Sequence, residues 1–88
     1  MDHLRIERRG GLTGLRARAE VDMESLAPAD RAAVEALFRR RGALPKSPGA
    51  DRFVYAVTRV TSTGPRTLLV PEELIPRGLA ALVHDELP

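Results

Sequence analysis

The residues best suited to contact another molecule lie between two alternating segments near the start of this 88-residue chain. They are Gly10-Gly11-Leu12-Thr13-Gly14. Glycine adopts the positive φ of a tight hairpin at little cost, so Gly10 and Gly11 predict a turn. Because the turn requires neither the apolar Leu12 nor a third glycine, this hairpin tip is suited to enter a cleft. The alternative is that the two glycines serve only the turn.

Residues with catalytic or metal-binding chemistry are few and do not combine into a site. His3 and His84 lie near opposite ends of the sequence, and the absence of cysteine excludes disulfides and thiolate metal sites. On a strand, Glu7 would lie about 13 Å from His3, too far to share a metal. Glu72-Glu73 is typical of a charged first helical turn, and the glycine cluster joins two strands rather than opening a helix. We therefore predict no catalytic residue, no metal and no cofactor.

The arginine content raises a second hypothesis. Thirteen of the 14 basic residues are arginine, and the pI is about 9.9, yet the net charge is only +2. Arginine recognises phosphate well, so Arg5, Arg16 and Arg18 could form a basic patch on the sheet. Glu7 and Glu20 follow the same alternation and would dilute that patch. The alternative function is thus a small adaptor that binds nucleic acid or another protein through its sheet face.

Length and composition predict a single domain over residues 1–88. Hydrophobic residues make up 43% of the chain, but only three are aromatic, so the core must consist mainly of Leu, Val, Ile and Ala. No window approaches the roughly 20 apolar residues that span a bilayer, and the chain starts without a run of signal-peptide type. We expect a monomeric cytoplasmic protein with no membrane or nucleic-acid partner.

Hydrophobic periodicity predicts the first three elements. Residues 3–8 and 15–22 alternate as two antiparallel half-buried strands. Proline near the first turn and an acid close behind it predict a helix from about Pro28. Arg39, Arg40 and Arg41 would occupy its last turn and complement the helix dipole, with Gly42 as the C-cap. That role explains the arginine run without a phosphate site.

The second half repeats this plan after a loop over residues 43–50. Residues 53–60 alternate with both faces partly apolar, which predicts a central strand, and residues 67–70 return as a fourth strand after a turn at 62–65. Pro71 opens a final helix, although its regular part could begin near Pro76. The expected fold is α+β, an antiparallel sheet of about four strands with two helices in the order ββαββα.

Two sequence blocks resemble the emfourin family, the protealysin-associated protein inhibitors of thermolysin-like zinc metallopeptidases. The first is Arg5-Ile6-Glu7-Arg8 with Gly10-Gly11-Leu12-Thr13-Gly14, followed by Val21-Asp22 and Ser25-Leu26. The second is Pro48-Gly49-Ala50-Asp51-Arg52-Phe53-Val54-Tyr55, which is similar to the Asp-Arg-Phe-x-Tyr segment of the family. The closing helix with Pro76, Leu79 and Leu82 is similar too. Leu12 and Thr13 stand where the family commonly has Phe and Ala, a departure that bears on which peptidase is bound.

The resemblance implies a protein inhibitor rather than an enzyme, with a thermolysin-like zinc metallopeptidase as its partner. Such peptidases are similar in holding zinc in a groove beside a pocket for a large apolar side chain. Our hypothesis is that the hairpin enters the groove with Leu12 in the pocket, while Arg8 and Arg9 meet acidic groove surface and Arg52 adds a supporting contact. The predicted peptidase-binding residues are Arg8, Arg9, Gly10, Gly11, Leu12, Thr13, Gly14 and Arg52. We predict a core role for Phe53 and Tyr55, and a loop-capping role for Asp51.

Overall fold

The computed structural model describes residues 2–10, 17–40 and 53–85. Its elements are β1 (His3–Gly10), β2 (Ala17–Asp22), α1 (Pro28–Arg39), β3 (Phe53–Thr61), β4 (Gly64–Pro71), α2 (Arg77–Leu82) and β5 (His84–Asp85). A 3-10 turn over Met23–Ser25 joins β2 to α1. The α+β class and the ββαββα order are confirmed, and the two-residue β5 is an addition. The predicted loop at residues 43–50 lies outside the described residues.

The strands form one antiparallel sheet in the order β4-β3-β1-β2-β5. β3 is an inner strand, as its two partly apolar faces predict, because β1 and β4 flank it. Ile6 pairs with Ala19 on β2 and with Val57 on β3, which aligns the apolar positions of three strands. β4 begins at Gly64, directly after the turn, which is three residues before the start of the predicted strand. The φ of 112° at Gly64 is one that glycine adopts readily.

Both helices cover the same face of the sheet. Leu4, Ile6 and Val57 are fully or almost fully buried there, with Val34 of α1 and Leu79 of α2. The wider core also contains Ala17, Met23, Leu26, Phe38, Tyr55, Val70 and Val83. Branched aliphatic side chains therefore supply most of the core, as the shortage of aromatic residues predicts. We call this the helix face of the sheet and the uncovered side the open face.

The predicted end of α1 requires a correction. The helix ends at Arg39, and Arg40 is its C-cap with an extended backbone, so Arg40 does not belong to the last turn and Gly42 is not the C-cap. Arg41 and Gly42 lie outside the described residues. One of the last carbonyls of α1, that of Phe38, accepts a hydrogen bond of 3.0 Å from Nη1 of Arg66 on β4. A side chain from the sheet thus completes the helix end.

The start of α2 decides between two predictions made from the sequence. Residues 72–74 form a turn, and the helix begins at Arg77 after the N-cap residue Pro76. The expectation that Pro71 opens the helix is wrong, and the later start near Pro76 is confirmed. The reason is that Pro76 has no N–H and its ring would clash with the preceding turn of a longer helix.

Candidate functional site

The strand register brings residues of the two sequence blocks together at one end of the sheet. Gly10, where β1 ends, pairs with Phe53, where β3 begins. Ala17, where β2 begins, pairs with Arg8. We call these four residues the hairpin base. Residues 11–16 therefore connect to the sheet at the same end as residue 52, which precedes β3.

Three of the eight predicted binding residues belong to the described part of the chain: Arg8, Arg9 and Gly10. Gly11, Leu12, Thr13, Gly14 and Arg52 lie outside it, so their roles stay predictions. Gly10 has a φ of 96°, a conformation that residues with a Cβ rarely adopt. This value explains why a glycine ends β1.

Arg8 and Arg9, adjacent in sequence, have different surroundings because side chains alternate along a strand. Arg8 lies on the helix face, half-buried, with its guanidinium carbon 4.6 Å from the centroid of the Phe53 ring. Arg9 lies on the open face, where its Nε donates to Oε1 of Glu7 at 2.7 Å. The alternation that places Leu4 and Ile6 in the core already assigned Arg8 to their face. Identifying Phe53 as the stacking partner of Arg8 also requires the register between β1 and β3.

Phe53 and Tyr55 differ in burial although both were predicted to be core residues. Tyr55 is 6% exposed and belongs to the core cluster, which confirms its prediction. Phe53 is half-buried and packs against that cluster from the edge. One side of its ring is thus available to Arg8, and sequence reasoning missed this role of Phe53 at the hairpin base.

The open face carries the arginines of the adaptor hypothesis, interleaved with acids. Arg5 pairs with Glu20 and Glu7 with Arg18 across β1 and β2, so each arginine faces a carboxylate. Nε of Arg5 lies 3.1 Å from Oε1 of Glu20. These side chains line a shallow concavity of about 630 Å³. Phosphate binding depends on neutralisation by excess positive charge, which this alternating arrangement does not concentrate. Arg16 lies outside the described residues.

Within residues 2–10, 17–40 and 53–85, no group of three or more His, Cys, Asp or Glu residues could hold a metal ion. Over the same ranges, neither α1 nor α2 combines the length and apolarity needed to cross a membrane.

The fold and the site define a small α+β protein in which the first strand of a β-hairpin ends at a glycine, at one end of the sheet. The family model Emfourin matches residues 6–87, nearly the whole chain, and the protein therefore belongs to the Emfourin family. Comparison with curated proteins and with solved structures gives no match. The match confirms the resemblance carried by the two sequence blocks. Membership suggests a metallopeptidase inhibitor rather than an enzyme.

Proposed function

We propose that this protein inhibits thermolysin-like zinc metallopeptidases by placing its β1–β2 hairpin in the active-site groove. The observation that carries the proposal is the Emfourin match over residues 6–87, which covers the second sequence block and all of the first except Arg5. The pairing of Gly10 with Phe53 supports the hairpin as the contact region, since it places residues of the two blocks side by side. Leu12 fills the hydrophobic pocket of the peptidase in this proposal.

The magnitude of one leucine contact shows that the hairpin needs further contacts. Full burial of a leucine contributes about 1.5–3 kcal/mol, roughly a tenfold to hundredfold gain in affinity. Gly10, Gly11 and Gly14 let the backbone approach the groove walls closely, and Thr13 follows the leucine in sequence. Arg9 and Arg52 add positive charge near the groove, which mainly accelerates association.

The rigidity of the sheet around β1 favours tight binding. β1 pairs with β2 over residues 3–8 and with β3 over residues 3–10, so neighbours hold it on both sides. A strand held in this way loses little conformational entropy when its end contacts a partner. We propose that the inhibitor acts as a monomer in the cytoplasm, in a complex with one peptidase molecule and without a cofactor.

The test is a titration of a thermolysin-like peptidase with the purified chain, followed by hydrolysis of a small peptide substrate. We expect stoichiometric loss of activity, and a tenfold or larger weakening for Leu12→Asp, because a buried carboxylate costs more than a leucine contributes. Leu69→Asp is the matched control, since Leu69 is a leucine 58% exposed on the open face of β4. It should inhibit like the wild type.

The outcomes separate the parts of the proposal. If Leu12→Asp inhibits as well as the wild type, the placement of Leu12 in the pocket is wrong while the inhibitor function stands. If the wild type inhibits no thermolysin-like peptidase, the proposed function is wrong. An apolar anchor also predicts a weak salt dependence, whereas binding through arginine and phosphate would weaken steeply with salt.

A further inference from the structure

Arg8 and Phe53 contact each other at the hairpin base, and the proposed function gives this contact no role. The guanidinium carbon of Arg8 lies 4.6 Å from the ring centroid, within the range of a cation–π interaction. Both side chains are half-buried, and Nε of Arg8 is buried. Partial removal from water strengthens such a contact relative to an exposed pair.

Phe53 also joins three parts of the backbone. Its residue position pairs with Gly10 at the end of β1. Its carbonyl accepts a hydrogen bond of 3.3 Å from the N–H of Glu72, which follows β4. Gly10 has a φ of 96°, which favours glycine, and it therefore has no side chain to pack against β3. The stack of Arg8 on Phe53 is therefore a side-chain contact between β1 and β3 close to the end of β1.

We infer that Arg8 and Phe53 are positioning residues of the inhibitor. Their stack holds the last residues of β1 against β3, so that the hairpin leaves the sheet in a fixed direction. Arg8 then acts through Phe53 on the helix face instead of through a salt bridge with the peptidase. This inference rests on the proposed function, because a fixed direction matters only if the hairpin enters a groove.

The chain contains a matched control for this stack. Arg66 lies over Phe38 with its guanidinium carbon 5.7 Å from the ring centroid. Arg66 pairs with Arg59 near the β3–β4 turn, at the opposite end of the sheet from Gly10. Arg66→Gln therefore removes an arginine–phenylalanine contact, together with the hydrogen bond to the Phe38 carbonyl, far from the hairpin base.

The experiment compares Arg8→Gln, Phe53→Leu, the double variant, Phe53→Tyr and Arg66→Gln in the full chain. The readouts are the inhibition constant against a thermolysin-like peptidase and amide hydrogen exchange at residues 8–10 and 53–55, both well below the unfolding temperature. We expect Arg8→Gln and Phe53→Leu each to weaken inhibition about tenfold, or about 1.4 kcal/mol. Exchange should accelerate at the hairpin base in both.

Three further results are expected. Phe53→Tyr keeps the aromatic face, so its inhibition constant and its exchange rates should equal those of the wild type. The double variant should be no worse than either single variant, because one contact is lost in every case. Arg66→Gln should leave inhibition and exchange at the hairpin base unchanged.

Three results would overturn the inference. The first is wild-type inhibition by both single variants. The second is an additive loss in the double variant, which would mean that Arg8 contacts the peptidase directly. The third is unchanged exchange at the hairpin base. If the wild type inhibits no thermolysin-like peptidase, the proposed function is wrong. Amide hydrogen exchange alone then shows whether the stack of Arg8 on Phe53 anchors β1.

Discussion

Single arginine residues of this protein complete the fold at several places. Arg31 of α1 donates to three carbonyls of the segment before the helix, those of Met23, Glu24 and Leu26. Arg66 donates to the end of α1, and Arg59 forms two hydrogen bonds with Asp2. A guanidinium can do this because it offers several donors in a fixed planar arrangement. The high pI is therefore weak evidence for a nucleic-acid partner.

The Asp2–Arg59 pair predicts how stability depends on pH. Nε and Nη2 of Arg59 donate to the carboxylate at 2.9 and 2.6 Å, and this hydrogen bonding lowers the pKa of Asp2. The stabilisation is complete above the unfolded-state pKa of about 3.9 and is lost as the pH falls through the lower folded-state pKa. Because Asp2 is about one third exposed, we expect Asp2→Asn to cost only about 0.2–1 kcal/mol at pH 7.

Urea unfolding of wild type and Asp2→Asn at pH 7 and at about pH 2.5 measures this effect. The difference in unfolding free energy should shrink at the acidic pH, because the carboxyl is protonated in the unfolded state there and becomes protonated in the folded state as the pH falls. Glu24→Gln, an exposed acid in the 3-10 turn, is the control and should change little. A difference that is equal at both pH values would contradict the ionic origin of the effect.

At the scale of elements, alternation in the sequence predicts the strands well. It identifies β1, β2 and the inner position of β3, because a half-buried strand must alternate and an inner strand can be apolar on both faces. Helix ends are less predictable, since the end of α1 depends on Arg66 from a strand that comes later in the chain. The two residues of β5 are too few for any periodicity. The stack of Arg8 on Phe53 depends on register, which alternation does not specify.

The packing of α1 on α2 gives a second prediction. The carboxylate of Asp30 lies where a Cβ at Gly78 would be, so Gly78→Ala forces one of the two groups to move. We expect Gly78→Ala to destabilise the protein by about 1 kcal/mol. In an Asp30→Ala background the space is open, and the same change should stabilise α2 by about 0.5 kcal/mol, because alanine favours the helix.

The measurement is a double-mutant cycle by urea unfolding. Arg77→Ala, an exposed position next to Gly78, controls for general effects of alanine in α2. Equal effects of Gly78→Ala in both backgrounds would show that the Asp30 side chain moves aside at no cost. The α1–α2 contact would then not require glycine at position 78.

At the scale of the whole molecule, the open face divides into two halves of different character. The half on β1 and β2 carries alternating charges, whereas the half on β3 and β4 carries no charged side chain. Its residues are Val54, Ala56, Thr58, Val60, Pro65, Thr67, Leu69 and Pro71. β4 is also an edge strand, and an edge strand whose open-face side chains are all uncharged can pair with another copy. The predicted monomeric state thus requires some protection of this edge.

Two prolines provide that protection, one near each end of β4. Pro65, Thr67, Leu69 and Pro71 share the open face and alternate along the strand, so their backbone groups point to the same side. Prolines in sheets occur on edge strands because they lack the N–H, and here the exposed Pro65 and the buried Pro71 limit the outward donors to the middle of β4. We expect the wild type to be a monomer. Pro65→Thr/Pro71→Thr, which restores donors at both ends, should self-associate and at least double the apparent mass at high concentration.

Light scattering coupled to size-exclusion chromatography over a series of concentrations measures this mass. Pro28→Thr is the matched control, because it replaces an exposed proline at the start of α1 and adds no donor to a sheet edge. It should remain monomeric at every concentration. If the double variant also remains monomeric while its fold is intact, the prolines do not protect the edge, and twist of the strand or the nearby Arg66 must keep copies apart. If the wild type itself associates, β4 pairs despite its prolines and the monomeric state is wrong.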